Sequence, residues 1–287
     1  MKRLLTIQDI SCVGQCSTTV ALPLVSACGV ECAVLPPAIL SNHTAKGFSG
    51  WTFRDLTDEM KPIEARWITE GVKFDAFYTG YVCESHIEPI LSLERTCAKP
   101  GALRFVDPAM ADGGMLYAGF AADFPTKMAR LVKGCDYVLP NLTEAALLTG
   151  MDAKAALALS ASAAPWTEKA AFYEKLIAAL HALGAKNVIL TGVERGEELG
   201  SAVSDGVKTE YDFNPKLARM SHGTGDVYAS VFAGAVLRGL SALDAAALAA
   251  DIVCEAIAAT EPDHWYGVSF ERTIPRLANS FSNHNHN

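Results

Sequence analysis

The chain has 287 residues, half of them apolar, and a formal net charge of −8. That length fits one large α/β domain or two small ones around a sizeable core. No apolar run approaches the roughly 20 residues of a membrane span, and the scattered basic residues argue against nucleic acid or an anionic membrane as main partner. The eight cysteines include no Cys-x-x-Cys pair. Cys12/Cys16 and Cys28/Cys32 stand four apart, but nothing nearby completes a tetrahedral zinc site, so they read as reduced thiols of a cytoplasmic protein.

Met1 to Asp9 has the basic start of a signal peptide without its long apolar region, and Leu4 to Ile7 reads as a buried strand. Ser17 to Cys28 reads as a helix stopped by Gly29, and Cys32 to Leu35 as the next strand. Thr52 to Thr69 is expected to be helical with a break at Pro62. Ala76 to Thr79 is a strand, and Ser85 with Glu88 is expected to open a helix as a capping box. Leu103 to Val106 and Tyr137 to Leu139 are strands ending at Asp107-Pro108 and Pro140-Asn141. The Ala/Ser-rich stretch Lys154 to Pro165 is expected to be a mobile connection. Thr167 to Leu183 is a helix, and Asn187 to Leu190 a strand ending at Thr191-Gly192. Ser201 to Val203 and Lys208 to Tyr211 form a hairpin around Asp205-Gly206. Ser241 to Thr260 is an Ala-rich helix. Residues 1–280 make one domain, and 281–287 a polar tail without order.

This alternation implies an α/β fold with a mostly parallel sheet and helices on both faces. Ligands of such sheets bind at the C-terminal ends of the strands. Gln8-Asp9, Thr79-Gly80-Tyr81, Asp107-Pro108, Pro140-Asn141 and Thr191-Gly192 all fall there.

The strongest local signal is Ser221-His222-Gly223-Thr224-Gly225-Asp226, which opens into an almost wholly apolar helix. A helix start binds anions through its free N–H groups and dipole. A carboxylate in its first turn repels an anion, which makes sense if a phosphoryl group is transferred there and Asp226 takes a proton from the attacking hydroxyl. The same residues also fit a plain helix cap. There is no P-loop, no protein-kinase signature and no dinucleotide fingerprint after the first strand.

The motif resembles the Gly-Thr-Gly-Asp anion hole of the ribokinase superfamily. Three further segments, with Ile7-Gln8 and Gly14, resemble pyridoxal kinases: Ser41-Asn42-His43-Thr44, which in that family lies against the pyridine ring, Asp107-Pro108-Ala109-Met110 with Asp112 and Gly113, and Pro140-Asn141-Leu142-Thr143-Glu144. The match covers nearly the whole chain in the right order. It implies a ribokinase-like three-layer kinase, homodimeric, that uses ATP and Mg²⁺ to phosphorylate the 5′-hydroxymethyl group of pyridoxal, pyridoxamine or pyridoxine. A monovalent-cation requirement stays open. The resemblance makes Asp226 the base and gives the N–H groups of Gly223, Thr224 and Gly225 the phosphoryl charge. Asp107 and Glu144 hold Mg²⁺, directly or through water. Asn141 stands near metal and phosphates, and Thr191-Gly192 near a nucleotide phosphate. Ser41, His43, Thr44 and Asp9 line the ring, Tyr81 flanks the substrate or the lid, and Met110 to Tyr117 form a flap. Read without the family, Asn141 and Glu144 are an ordinary N-cap pair and His43 a packing histidine.

Asp9 departs from the pattern, since many pyridoxal kinases carry serine there. An acidic group favours a cationic partner, such as a protonated ring nitrogen or a pyridoxamine-like substrate. Ala109 and Ala111 replace the usual Val and Gly. A hydroxymethylpyrimidine kinase of the same superfamily is the nearest alternative, which the Ser-Asn-His-Thr segment disfavours. A non-catalytic vitamin B6 binder is another, which the intact Asp226 disfavours.

Overall fold

The structure is a computed structural model that describes residues 1–44, 47–217 and 222–282. Ser221 of the glycine-rich motif and tail residues 283–287 lie outside them. The chain falls into two compact units, one of Met1–Leu103 with Leu217–Asn287 and one of Arg104–Lys216.

In chain order the first unit begins with β1 (Arg3–Ile7), β2 (Ile10–Ser11), α1 (Thr18–Ala27), β3 (Glu31–Val34), β4 (Ala38–Leu40) and β5 (Phe53–Asp55). It continues with α2 (Thr57–Thr69), β6 (Phe74–Thr79) and α3 (Glu84–Thr96), and β7 (Ala98–Val106) carries the chain into the second unit. There follow β8 (Ala111–Asp112), β9 (Met115–Leu116), α4 (Phe124–Val132), β10 (Tyr137–Val138), α5 (Leu142–Leu148), α6 (Ala153–Ala161) and α7 (Trp166–Ala182). Strands β11 (Asn187–Arg195), β12 (Glu198–Ser204) and β13 (Thr209–Pro215) complete that unit. The first unit ends with α8 (Thr224–Leu237), α9 (Ala242–Ala259), a 3-10 turn at Phe270–Thr273 and α10 (Ile274–Ser282).

In the first unit β1 pairs in parallel with β3 and with β6, Leu5 facing Ala33 on one side and Phe77 on the other. Leu4, Leu5 and Ile7 are fully buried, as expected of a parallel strand covered on both faces. Because Ile7 is in register with Thr79, the two strands deliver Gln8-Asp9 and Gly80-Tyr81 side by side. A small second sheet orders β2, β4 and β5. α1 ends where Gly29 takes φ 77°. α8 is buried from Val227 to Ala235 and lies against α1, where a Cβ on Gly234 would sit 2.6 Å from the Cys28 sulfur.

In the second unit β10 lies between β7 and β11, all parallel, and β11, β12 and β13 continue antiparallel. The Asp205 side chain accepts from the Val207 and Lys208 amides and Gly206 takes φ 85°, which closes the expected turn.

Several expectations are corrected. The stretch from Thr52 is not one helix, because β5 intervenes and Asp55 accepts the Thr57 amide at 2.7 Å, which starts α2. Pro62 does not break α2, and Pro23 and Pro89 also stand inside helices. Each is the sixth residue of its helix, where the ring removes one hydrogen-bond donor near the start. The box opening α3 is formed by Cys83 and His86, two residues before the expected Ser85, with the Cys83 amide donating to His86 Nδ1 at 2.9 Å. Lys154 to Pro165 is not a loose connection, since α6 occupies most of it, capped by the Asp152 carboxylate on the Lys154 and Ala155 amides. α10 runs to Ser282 with Phe281 buried, so the ordered chain passes the expected start of the tail.

Candidate active site

In the first unit, Gly223 is the N-cap of α8 at φ 79°, a left-handed conformation that suits glycine. As a glycine it brings no capping side chain of its own to this helix end, and a Cβ on Gly225 would meet nothing within 4 Å among the described residues. Its first-turn N–H groups and dipole favour negative charge. Asp226, the third residue of the helix, is nevertheless a carboxylate. Desolvation first, and then the Asp9 carboxylate, push its pKa up to about 7, against a hydrogen bond from the Ser17 amide. A carboxyl poised near neutrality suits proton transfer at physiological pH.

Asp9 is buried. Its Oδ2 accepts from the Ser11 hydroxyl at 2.8 Å, and the Ser17 side chain also bonds it. Burial still raises its pKa. Ser17 holds both carboxylates at once, its amide on Asp226 and its side chain on Asp9. It does so at φ 52° and ψ −132°, with Gln15 at φ 34°, conformations that non-glycine residues adopt only under constraint. The constraint is visible. The Thr18 hydroxyl donates to the Gln8 carbonyl at 2.8 Å and the Thr18 amide to the Asp9 carbonyl at 3.2 Å. The Gln15 side chain ties His264 and Glu271. Burial, Asp226 and Asp9 push the nearby Cys16 thiol far up, so it stays protonated at neutral pH.

The Ser-Asn-His-Thr segment builds the loop after β4. Ser41 Oγ donates to Asn42 Oδ1 at 2.8 Å and accepts the Thr52 amide, while Asn42 Nδ2 donates to the His43 and Gly50 carbonyls. His43 is buried, its Nε2 lies 3.0 Å from the Tyr266 carbonyl, and its ring meets Phe48 and His222 at centroid distances of 4.9 and 5.5 Å. Burial first, and His222 as well, hold its pKa down. Thr44 is half-buried. Tyr81 is raised by burial, Cys83 and Asp9, which puts it in the same acidic neighbourhood. The first unit therefore brings Asp226, Asp9 and Tyr81 into one electrostatic cluster and sets His43 against the residue that leads into α8.

In the second unit the Leu139 amide donates to Val106 and the Thr191 amide to Pro140, which aligns the ends of β7, β10 and β11. Asn141 caps α5 and Glu144 answers it. The Asn141 amide donates to Glu144 Oε2 at 2.9 Å, and the Glu144 amide to Asn141 Oδ1 at 3.0 Å. The capping reading of this pair is thus observed, and it leaves Glu144 Oε1 to the Met110 amide at 3.1 Å. Burial, and then the Asp107 carboxylate, raise Glu144 well above the ordinary range. Asn141 Nδ2 donates to the Ala111 carbonyl, and Thr143 Oγ1 accepts the Gly114 amide, so α5 grips the β8–β9 hairpin within the expected flap. Thr191 bridges Asn141 and turns its hydroxyl to the Pro140 carbonyl at 3.3 Å, and Gly192 takes φ 77° at the bulge that follows.

Sequence reasoning missed Ser17, Gln15 and Thr143. Only the glycine at 14 signalled that the loop after β2 is unusual. A Cβ there would come within 2.2 Å of the His43 ring.

The phosphomethylpyrimidine kinase profile matches residues 26–268. The chain belongs to this family. The family is of kinases whose phosphate acceptor is an alcohol. The chain is 30% identical to the pyridoxal kinase of Lactobacillus plantarum over the full length of both, with a TM-score of 0.85. It matches equally, at 30% identity and a TM-score of 0.85 over 96% of this chain and 95% of the other, a Bacteroides thetaiotaomicron protein assigned to the phosphomethylpyrimidine kinases and crystallised with pyridoxal. It is 27% identical to the pyridoxal kinase PdxY of Corynebacterium diphtheriae over 90% of this chain and 89% of that one. These matches establish the ribokinase-like α/β fold with its mostly parallel sheet, and the resemblance to pyridoxal kinases along nearly the whole chain. Among the described residues no helix is long and apolar enough to cross a membrane.

Proposed function

We propose that this family member transfers the γ-phosphoryl group of ATP to the 5′-hydroxymethyl oxygen of a B6 vitamer, in the salvage of pyridoxal 5′-phosphate. The observation that carries the reading is Asp226, a carboxyl tuned to about 7 in the first turn of a helix whose N-cap is a left-handed glycine. Asp226 takes the hydroxyl proton as the O–P bond forms and the bond to the ADP oxygen breaks. The amides of Gly223, Thr224 and Gly225 stabilise the charge on the moving phosphoryl group. Ser41, His43, Thr44 and Tyr81 face the ring. The neutral His43 imidazole, held by the Tyr266 carbonyl, packs there without repelling a protonated pyridine.

Asp107 and Glu144 suit Mg²⁺. They are two buried hard-oxygen donors whose mutual repulsion a cation relieves. The amides held by Glu144 oxygens argue for contact through water, and among the described residues no cluster of three or more metal-ligating side chains exists. The ion when bound neutralises phosphate charge. Asn141 positions Glu144, and Thr191 with the left-handed Gly192 at the β11 bulge lies where a nucleotide phosphate would be met. None of the eight cysteines is in a disulfide, which supports a reducing, cytoplasmic setting, and the family resemblance supports a homodimer, which light scattering tests.

Membership of the phosphomethylpyrimidine kinase family favours a second reading, a hydroxymethylpyrimidine kinase. Phosphorylation of pyridoxal, pyridoxamine, pyridoxine and hydroxymethylpyrimidine by ATP, with and without Mg²⁺, separates the two. Turnover of a vitamer establishes the first reading. Turnover of the pyrimidine alone moves the chain to the second.

A further inference from the structure

The acidic residue at position 9 invites assignment to the substrate ring, but its surroundings point elsewhere. Its carboxylate is buried and already bonded by Ser11 and Ser17. The loop it anchors lies against the start of α8, where a Cβ on Gly223 would be 2.2 Å from the Gln15 carbonyl oxygen. Ser17 in that loop donates its amide to Asp226 while its side chain bonds Asp9.

We propose that Asp9 is a positioning residue that acts on Asp226 and not on the vitamer ring, setting a second negative charge against the proton acceptor and pinning the strained Ser17 whose amide orients it. This rests on Asp226 being the proton acceptor. The titratable groups facing Asp226 among the described residues are Asp9, from the turn between β1 and β2, and Cys16, from the loop before α1. Cys16 stays neutral at physiological pH, so Asp9 is the group that sets the local charge. Two carboxylates bonded by the same residue, Ser17, resist ionising together, which keeps the acceptor basic enough to take a hydroxyl proton.

The test is Asp9→Asn, nearly isosteric and able to keep one accepted hydrogen bond. In the variant the acid limb of the kcat/KM profile moves toward lower pH, on the order of one unit, while the ratio of kcat/KM values among pyridoxal, pyridoxamine and pyridoxine stays as in the parent. An unmoved limb overturns the proposal, and so does a changed ratio whatever the limb does. Carboxyl-carbon NMR titration of Asp226 in the ligand-free protein reads the same coupling without turnover. Asp226→Asn is run beside it. If that variant turns over normally, the base assignment fails, and the NMR titration still decides whether Asp9 acts on Asp226. Should Asp9→Asn not fold, Ser11→Ala removes the 2.8 Å donor that holds Asp9 charged, and is expected to move the limb the same way by less.

Discussion

Gly223 and Gln15 touch where no other residue pair of this size would fit, for any Cβ at 223 would stand 2.2 Å from the Gln15 carbonyl oxygen. The glycine is needed twice, once for this approach and once for its φ of 79°. Gly223→Ala is therefore expected to push the loop away from α8, to destabilise the protein by about 1–2 kcal/mol, and to lower kcat at least tenfold through misplacement of Asp226. Thermal melting and steady-state kinetics check both. A variant with parental kcat would show that the loop does not position the base.

Asp226→Asn is expected to lower kcat by roughly 10²–10⁴-fold with vitamer binding kept. With Asp226 as the proposed base, activity of the parent requires its carboxylate form, so kcat/KM is expected to rise with pH through about 7 and to fall below it. Stability runs the other way. A carboxyl whose folded pKa lies above its unfolded 3.8 binds more protons when folded, so its contribution is complete below 3.8 and lost as pH rises to about 7. Asn escapes that loss, on the order of a few kcal/mol, and the variant should melt above the parent at pH 8 and level with it near pH 4.

Glu144→Gln keeps one acceptor oxygen but turns an amide group toward the Asn141 or Met110 N–H. It is expected to raise the Mg²⁺ concentration needed for half-maximal turnover at least tenfold and to lower stability by about 1–3 kcal/mol. Because protonation of the raised Glu144 competes with the cation, Mg²⁺ activation of the parent should weaken as pH falls. Metal titrations at several pH values check this.

Gly14→Ala drives a Cβ into the His43 ring, 2.2 Å from Cδ2, at φ 129°. In the proposed reading the displaced imidazole belongs to the vitamer side only. KM for pyridoxal should rise at least fivefold, roughly a 1 kcal/mol effect, and KM for ATP should stay put.

The elements legible in the sequence carried their own punctuation. α1 has its Gly29 stop, α9 its Ser241 cap accepting the Asp244 amide, and the β12–β13 hairpin its Asp-Gly turn. α6 was hidden because Ala and Ser suit a helix and a linker alike, and only Asp152 marks where it begins. Pro62 misled because proline near a helix start removes a single donor. At the site, the glycines and carboxylates showed in the sequence, and family resemblance ordered them. The conformation of Ser17 did not show, since nothing in a serine announces a positive φ. The pairing of Asp9 with Asp226 was equally hidden, because it exists only once β1 and α8 have been folded into the same unit.

That unit is discontinuous. It takes Met1–Leu103 and Leu217–Asn287, while Arg104–Lys216 form the other without interruption. On the ribosome, the stretch carrying Asp107, Glu144 and Thr191 is complete before α8 has been synthesised. The strands that present Asp9 and Tyr81 emerge before that stretch, yet they must wait for Leu217–Asn287 to complete their unit. In the meantime α1, which packs on β1, lacks the cover of α8 and α10, and the nascent chain is most in need of protection from aggregation during that interval.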